Sequence, residues 1–142
     1  VSKMKETNAI IGGEGNGGVI YPEMHYGRDA LIGVALFLTQ LAERKISAKA
    51  LRDSYPNYFI SKNKIQLTPE IDVDAILSAL EDKYKNEQIT TIDGLKIDFK
   101  EGWVHLRKSN TEPIIRIYAE SEGEEKANEF ANNMINEIKG LI

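Results

Sequence analysis

The feature that most constrains this chain is a double change in hydrophobic period. The apolar spacing runs at three to four residues up to about residue 84, at two from 88 to 119, and at three to four again to the end. Upstream, Val73, Ile76, Leu77, Leu80 and Tyr84 mark one face of a helix ending near Lys85 and Asn86. Residues 88–92 and 95–99 then flank Asp93-Gly94, a dipeptide suited to a two-residue hairpin turn, and Lys100-Glu101-Gly102 turns the chain into Trp103-Val104-His105-Leu106. A fourth strand follows at 114–119, where Ile115, Ile117 and Ala119 face a core and Ile114, Arg116 and Tyr118 the other side. Ala127, Phe130, Ala131, Met134, Ile135 and Ile138 close the chain as a helix, with Ser121 and Glu124 spaced as a capping box. Helix, four-stranded antiparallel meander, helix is an α+β domain that buries one sheet face under two helices. It is assigned to residues 67–142.

Residues 1–66 do not make a comparable domain. Ala9-Ile10-Ile11 and Val19-Ile20-Tyr21-Pro22 are short strand candidates on either side of a loop holding five glycines in seven positions, 12–18. Asp29 can cap a helix reaching about Arg44 whose apolar residues lie on nearly every face, and Ser47 can cap a shorter one ending at Tyr55-Pro56-Asn57. Tyr58-Phe59-Ile60 reads as a strand and Ser61-Lys62-Asn63-Lys64 as the interdomain connection. Two strands and two helices of this kind read as an incomplete α/β segment of another domain, so the chain is expected to be an excised or truncated piece.

Composition removes several functions. A net charge of −4 leaves no basic stripe for a nucleic-acid backbone, so any phosphate site must be local. The lack of cysteine excludes disulfides, thiolate catalysis and cysteine-ligated zinc, and two distant histidines give no metal-site spacing. The longest uncharged run, residues 30–42, falls short of the roughly 17–25 apolar residues that span a bilayer. No signal peptide is visible, no membrane partner is expected, and cytoplasm is the default compartment.

Between the last two strands lies Arg107-Lys108-Ser109-Asn110-Thr111-Glu112-Pro113. Arg107 offers a planar fork suited to two phosphate oxygens; Ser109, Asn110 and Thr111 add short-reach donors; Pro113 fixes φ where the next strand begins. Arg116 can supply a second positive charge. An ordinary hairpin connection uses the same residue types. In the glycine loop, Gly13-x-Gly15-x-x-Gly18 matches a dinucleotide fingerprint by letter but leads into Val-Ile-Tyr-Pro, without the helix N-terminus that holds pyrophosphate. Glu14 and Asn16 suit sugar hydroxyls, and a plain structural turn is the alternative.

Together, Arg-x-Ser-Asn-Thr-x-Pro before an arginine-bearing strand and Gly13-Glu14-Gly15-Asn16-Gly17-Gly18 resemble the α-D-phosphohexomutases. The resemblance covers nearly the whole chain, as the end of that family's third domain followed by its fourth. It implies a hexose phosphate substrate, glucose, mannose or glucosamine, interconverted between 1- and 6-phosphate through a bisphosphorylated intermediate. It assigns Arg107, Ser109, Asn110, Thr111 and Arg116 to phosphate and Glu14 and Asn16 to sugar hydroxyls. Many bacterial members have histidine where this chain has Gly18, so no histidine role carries over. The family's phosphoserine loop, Thr-x-Ser-His-Asn-Pro, and its magnesium loop, Asp-Gly-Asp-Gly-Asp, do not occur here. Magnesium and phosphoserine are therefore expected in N-terminal domains that would be this chain's partners, with no catalytic or metal-binding residue in the chain itself and no activity for it alone. The alternatives are a non-catalytic phosphosugar-binding module and a protein-interaction module, and truncation leaves room for self-association through residues 30–42.

Overall fold

The computed structural model describes residues 1–13, 17–68, 70–109 and 111–142, which form two compact units, Val1–Pro56 and Asn57–Ile142.

The first unit contains α1 (Ser2–Thr7), β1 (Gly12–Gly13), β2 (Val19–Ile20), α2 (Ala30–Arg44) and α3 (Ala48–Asp53). The strand expected at Ala9-Ile10-Ile11 is instead a two-residue ladder in which Gly12 faces Ile20, while Ile10 and Ile11 are exposed. Both expected caps form: Asp29 Oδ1 accepts from the Leu31 and Ile32 amides at 2.8 and 3.1 Å, and Ser47 Oγ accepts from Ala50 at 3.1 Å. None of the residues of α2 is buried, and Leu31, Val34, Phe37 and Leu38 stand exposed. Among the described residues of this unit Leu51 alone is buried, with Val19, Ile32, Leu36 and Leu41 half-buried.

His25 belongs to the start of α2. Its Nδ1 accepts the Gly27 amide at 3.0 Å, which leaves Nε2 to donate to Asp29 Oδ2 at 3.2 Å. The Asp29 carboxyl is held below its ordinary range, first by the Ile32 amide, with the His25 and Leu31 contacts adding to it. A depressed carboxyl favours the folded helix above its unfolded pKa and loses that contribution as pH falls through the lowered value. The Leu31 and Ile32 amide resonances are therefore expected to move together as pH is lowered from about 5 to 2, and Asp29→Ala to reproduce the acid-state shifts at neutral pH. Amides indifferent to both changes would remove the cap from α2's stability.

The second unit comprises β3 (Phe59–Gln66), α4 (Val73–Lys83), β4 (Gln88–Thr90), β5 (Leu95–Phe99), β6 (Gly102–Lys108), β7 (Ile114–Ser121) and α5 (Glu124–Leu141). Its antiparallel sheet has five strands in the order β3-β7-β6-β5-β4, not four. The added strand runs through Ser61, Lys62, Asn63 and Lys64, which pair residue by residue with Ala119, Tyr118, Ile117 and Arg116. What reads as a polar connection is an edge strand, where lysines commonly keep the free edge from pairing with other chains.

Leu95, Ile97, Val104, Leu106, Ile115, Ile117 and Ala119 bury one sheet face against Val73, Ile76 and Leu80 of α4 and Ala131, Met134 and Ile138 of α5. Fully burying each of the larger side chains is worth roughly 1.5–3 kcal/mol. Tyr84, Phe99 and Phe130 seal one side of this core, with ring centroids 5.6 and 5.1 Å apart. Two sequence expectations change. Ser121 lies in β7 and donates to the Glu101 carbonyl at 2.6 Å, so no capping box forms, and α5 starts after Gly123 with Glu124 and Glu125 in its first turn. The β4–β5 connection is longer than two residues, because the last pair is Thr90 with Lys96. Gly94 takes φ 78° and Asp93 does not have positive φ, which a two-residue Asp-Gly turn of the type I′ class would need.

Candidate functional site

Strand alternation sends the core residues of β6 and β7 to the helices and His105, Arg107, Arg116 and Tyr118 to the opposite, uncovered face. Arg107 is the sixth residue of the seven-residue β6, within the ladder and not in the loop after it, and it faces Arg116 directly. Two strand positions further from the loop, His105 faces Tyr118. These four side chains line a concavity of about 60 Å³.

Two like charges directly opposite on a sheet destabilise it, by roughly 0.2–1 kcal/mol relative to neutral pairs. Here the repulsion is only partly relieved. The Arg107 guanidinium binds Asp93 Oδ1 through Nε at 3.1 Å, and both side chains are about half exposed. That contact uses the side of the guanidinium and leaves its terminal nitrogens for another acceptor. The Asp93 carbonyl also accepts from His105 Nε2 at 2.5 Å, so one turn orients both residues. Gly94 makes this approach feasible: a Cβ there would stand well under 3.0 Å from the Leu106 carbonyl oxygen and 3.2 Å from Arg107 Cα.

Beyond β6 the loop is closed by the Ser109 amide donating to the Ile114 carbonyl at 3.0 Å, and the Ile114 amide turns back to the Glu112 carbonyl at 2.8 Å across Pro113. The Thr111 amide leans toward Ser109 Oγ at 3.4 Å, with the two hydroxyls 3.5 Å apart. Ser109 and Thr111 are thus gathered at the tip of the same hairpin that carries the arginines. Lys108, one residue from Arg107, points to the covered side and binds Asp74 of α4 at 2.9 Å, tying hairpin to helix. Ile114, expected on the open face with Arg116, is buried.

Of the residues singled out from sequence, the structure sets Arg107 opposite Arg116 and puts Ser109 and Thr111 in the loop joining their strands, where Ser109 lines a separate concavity with Leu67, Val73 and Lys108. Asn110, Glu14 and Asn16 lie outside the described residues. Tyr118 was expected on the face of Arg116 and lies there, whereas Asp93 and His105 were not anticipated beside the arginines. For His105 the available signal was spacing, since it shares a face with Arg107 at two residues. Among the described residues no group of His, Asp or Glu is arranged to hold a metal ion, and no helix is long and apolar enough to cross a membrane.

The second unit is an α+β domain with facing arginines and two hydroxyl residues on one hairpin, and comparison with known proteins identifies its family. Residues 64–137 match the model of the phosphoglucomutase/phosphomannomutase C-terminal domain, and residues 1–58 match that of alpha/beta/alpha domain III from the same proteins. The chain belongs to the phosphoglucomutase/phosphomannomutase family. It is 40% identical over 142 residues to a phosphoglucosamine/phosphogalactosamine mutase of Sulfurisphaera tokodaii, covering 99% of this chain and 30% of that protein. It is 42% identical over 127 residues to a phosphoglucomutase/phosphomannomutase of Thermococcus kodakarensis, covering 88% and 27% respectively. A crystal structure of a phosphoglucomutase/phosphomannomutase family protein from Burkholderia thailandensis superposes with a TM-score of 0.75 at 26% identity, over 98% of this chain and 30% of that one. The chain thus spans about a third or less of the length of these relatives.

Proposed function

We propose that the chain is the substrate-holding part of a phosphohexomutase that interconverts hexose 1-phosphate and 6-phosphate through a bisphosphorylated intermediate. The observation that carries this reading is the facing pair Arg107–Arg116 on the open sheet face, with Ser109 and Thr111 in the loop that joins their two strands. Side-by-side cations cost stability unless an anion comes between them, and a phosphate monoester supplies oxygens for both guanidinium forks and both hydroxyls.

In this reading Arg107, Ser109, Asn110, Thr111 and Arg116 hold the phosphate that is not being transferred, and Glu14 and Asn16 take the sugar hydroxyls. Magnesium and a phosphorylated serine, which the family's motifs place in its first two domains, supply phosphoryl transfer. The contribution of the residues described here is placement: a ligand held by its unreactive end has its reacting oxygen fixed, which supplies much of the acceleration in phosphoryl transfer. The 142-residue chain by itself then has no mutase turnover.

Titration of the labelled chain with glucose 1-phosphate and with glucosamine 6-phosphate tests this. Saturable amide shifts are expected at Ser109, Thr111 and Arg116. Unmoved resonances there at millimolar concentrations of both sugars would overturn the phosphate assignment, and mutase turnover by the chain would overturn the division of labour.

A further inference from the structure

Resting on that reading, we infer that β3 contributes a third cation, Lys64, to the phosphate site, and that the completed row selects a dianionic phosphate over singly charged groups. The pairing register places Lys64 opposite Arg116, and Arg116 opposite Arg107, so three positive side chains lie abreast on three adjacent strands. All three are exposed on the face the helices leave open. Lys64, Arg116 and Tyr118, with Lys62, Asn63, Glu112 and Ile114, line a groove of about 340 Å³ that shares Arg116 and Tyr118 with the smaller concavity at Arg107.

The neighbouring cations of this face are already engaged. Lys62 sits over the Tyr118 ring at 5.7 Å, Lys96 is paired with Asp98 and lies 5.4 Å from the Trp103 ring, and Arg107 has Asp93. Lys64 and Arg116 have no ion pair among the described residues. Glu112 lines the same groove without pairing to either. Asp93 and Glu112 offset part of the three positive charges, and the row stays net positive, so it attracts a phosphate monoester more strongly once the second ionisation near pH 6 gives the ligand a second negative charge.

The test uses the 142-residue chain with inorganic phosphate and sulfate as probes, followed by the Ser109, Thr111 and Arg116 amides. Sulfate is a dianion throughout, so the difference between the two probes from pH 5 to 7.5 isolates ionisation of the ligand from that of His105, Asp93 and Glu112, which face the row. In the parent chain phosphate is expected to gain affinity over this range relative to sulfate. Lys64→Gln and Lys64→Met are each expected to weaken sulfate, and phosphate at pH 7.5, by about three- to tenfold and to shrink the phosphate gain; Lys64→Arg restores both. The melting temperature of Lys64→Gln is expected to hold or rise, since a repulsion is removed.

Binding by Lys64→Gln and Lys64→Met equal to that of the parent, with Arg116→Gln weakened, would exclude Lys64 and leave the arginine–hydroxyl site standing. Parent-like binding by Arg116→Gln and Arg107→Gln as well, or no saturable shift in the parent, would overturn the site and this inference together.

Discussion

Arg107→Ala is expected to lower affinity for a hexose phosphate by roughly ten- to a hundredfold while leaving the melting temperature nearly unchanged. The loss follows from removing at least one charge-assisted hydrogen bond, each worth roughly 1.5–3 kcal/mol. The small change in stability follows from two opposing terms on the surface: the half-exposed pair with Asp93 disappears, and so does the repulsion with Arg116. Arg107→Lys is expected to recover only part of the affinity, because a single ammonium cannot hold Asp93 on one edge and two ligand oxygens on another. Titration by amide shifts and a thermal melt on the same samples separate the outcomes. A fall in melting temperature that tracks the fall in affinity would make Arg107 a structural residue, and unchanged affinity would remove it from the site.

The largest effect on the fold is expected at Gly94. Its φ of 78° suits glycine, and an added Cβ would run into the carbonyl of Leu106, a backbone atom inside a fully paired ladder that cannot swing aside. Left-handed strain for a residue with a side chain costs about 1–3 kcal/mol and overpacking a similar amount. Gly94→Ala is therefore expected to destabilise the second unit by roughly 2–5 kcal/mol, read as a shift in the urea midpoint with an unchanged slope. Gly140→Ala, on the last turns of α5 where a Cβ meets nothing within 4 Å, is the control and is expected to be neutral or stabilising. A Gly94→Ala midpoint within experimental error of the parent would show that the turn can back away from β6. It would also imply that Asp93 does not orient Arg107 as the geometry indicates.

The parts of this molecule that were legible from sequence are those whose signal is local. The α2 start was carried by Asp29, whose carboxylate bonds amides two and three residues on. The last helix was carried by an apolar stripe that now faces the core through Ala131, Met134 and Ile138. Family membership was carried by two short loops, and the comparisons establish it. What was not legible depends on partners far away in the chain. Residues 61–64 hold one serine, one asparagine and two lysines, and they become a strand only because β7 offers an edge to pair with. Ser121 has the spacing of a cap, yet the ladder claims it first, since Phe59 and Gly102 both pair with it. The arginines were each visible, but their facing one another is a matter of register, set by how the 109–113 loop closes. Lys64 could have been marked from its alternation with Ile65, had the segment been read as a strand.

The adjacent side chains of Arg107 and Lys108 have different tasks only because the pleat sends one to the open face and the other to Asp74 on the helix side. Inserting or deleting one residue between Gly102 and Arg107 would exchange those tasks, drive a guanidinium toward the core and turn Leu106 and Val104 outward. Related chains should therefore tolerate many replacements along β6 but vary its length only in steps of two, and the parity of this short count is a better mark of a working site than the identity of any one residue within it.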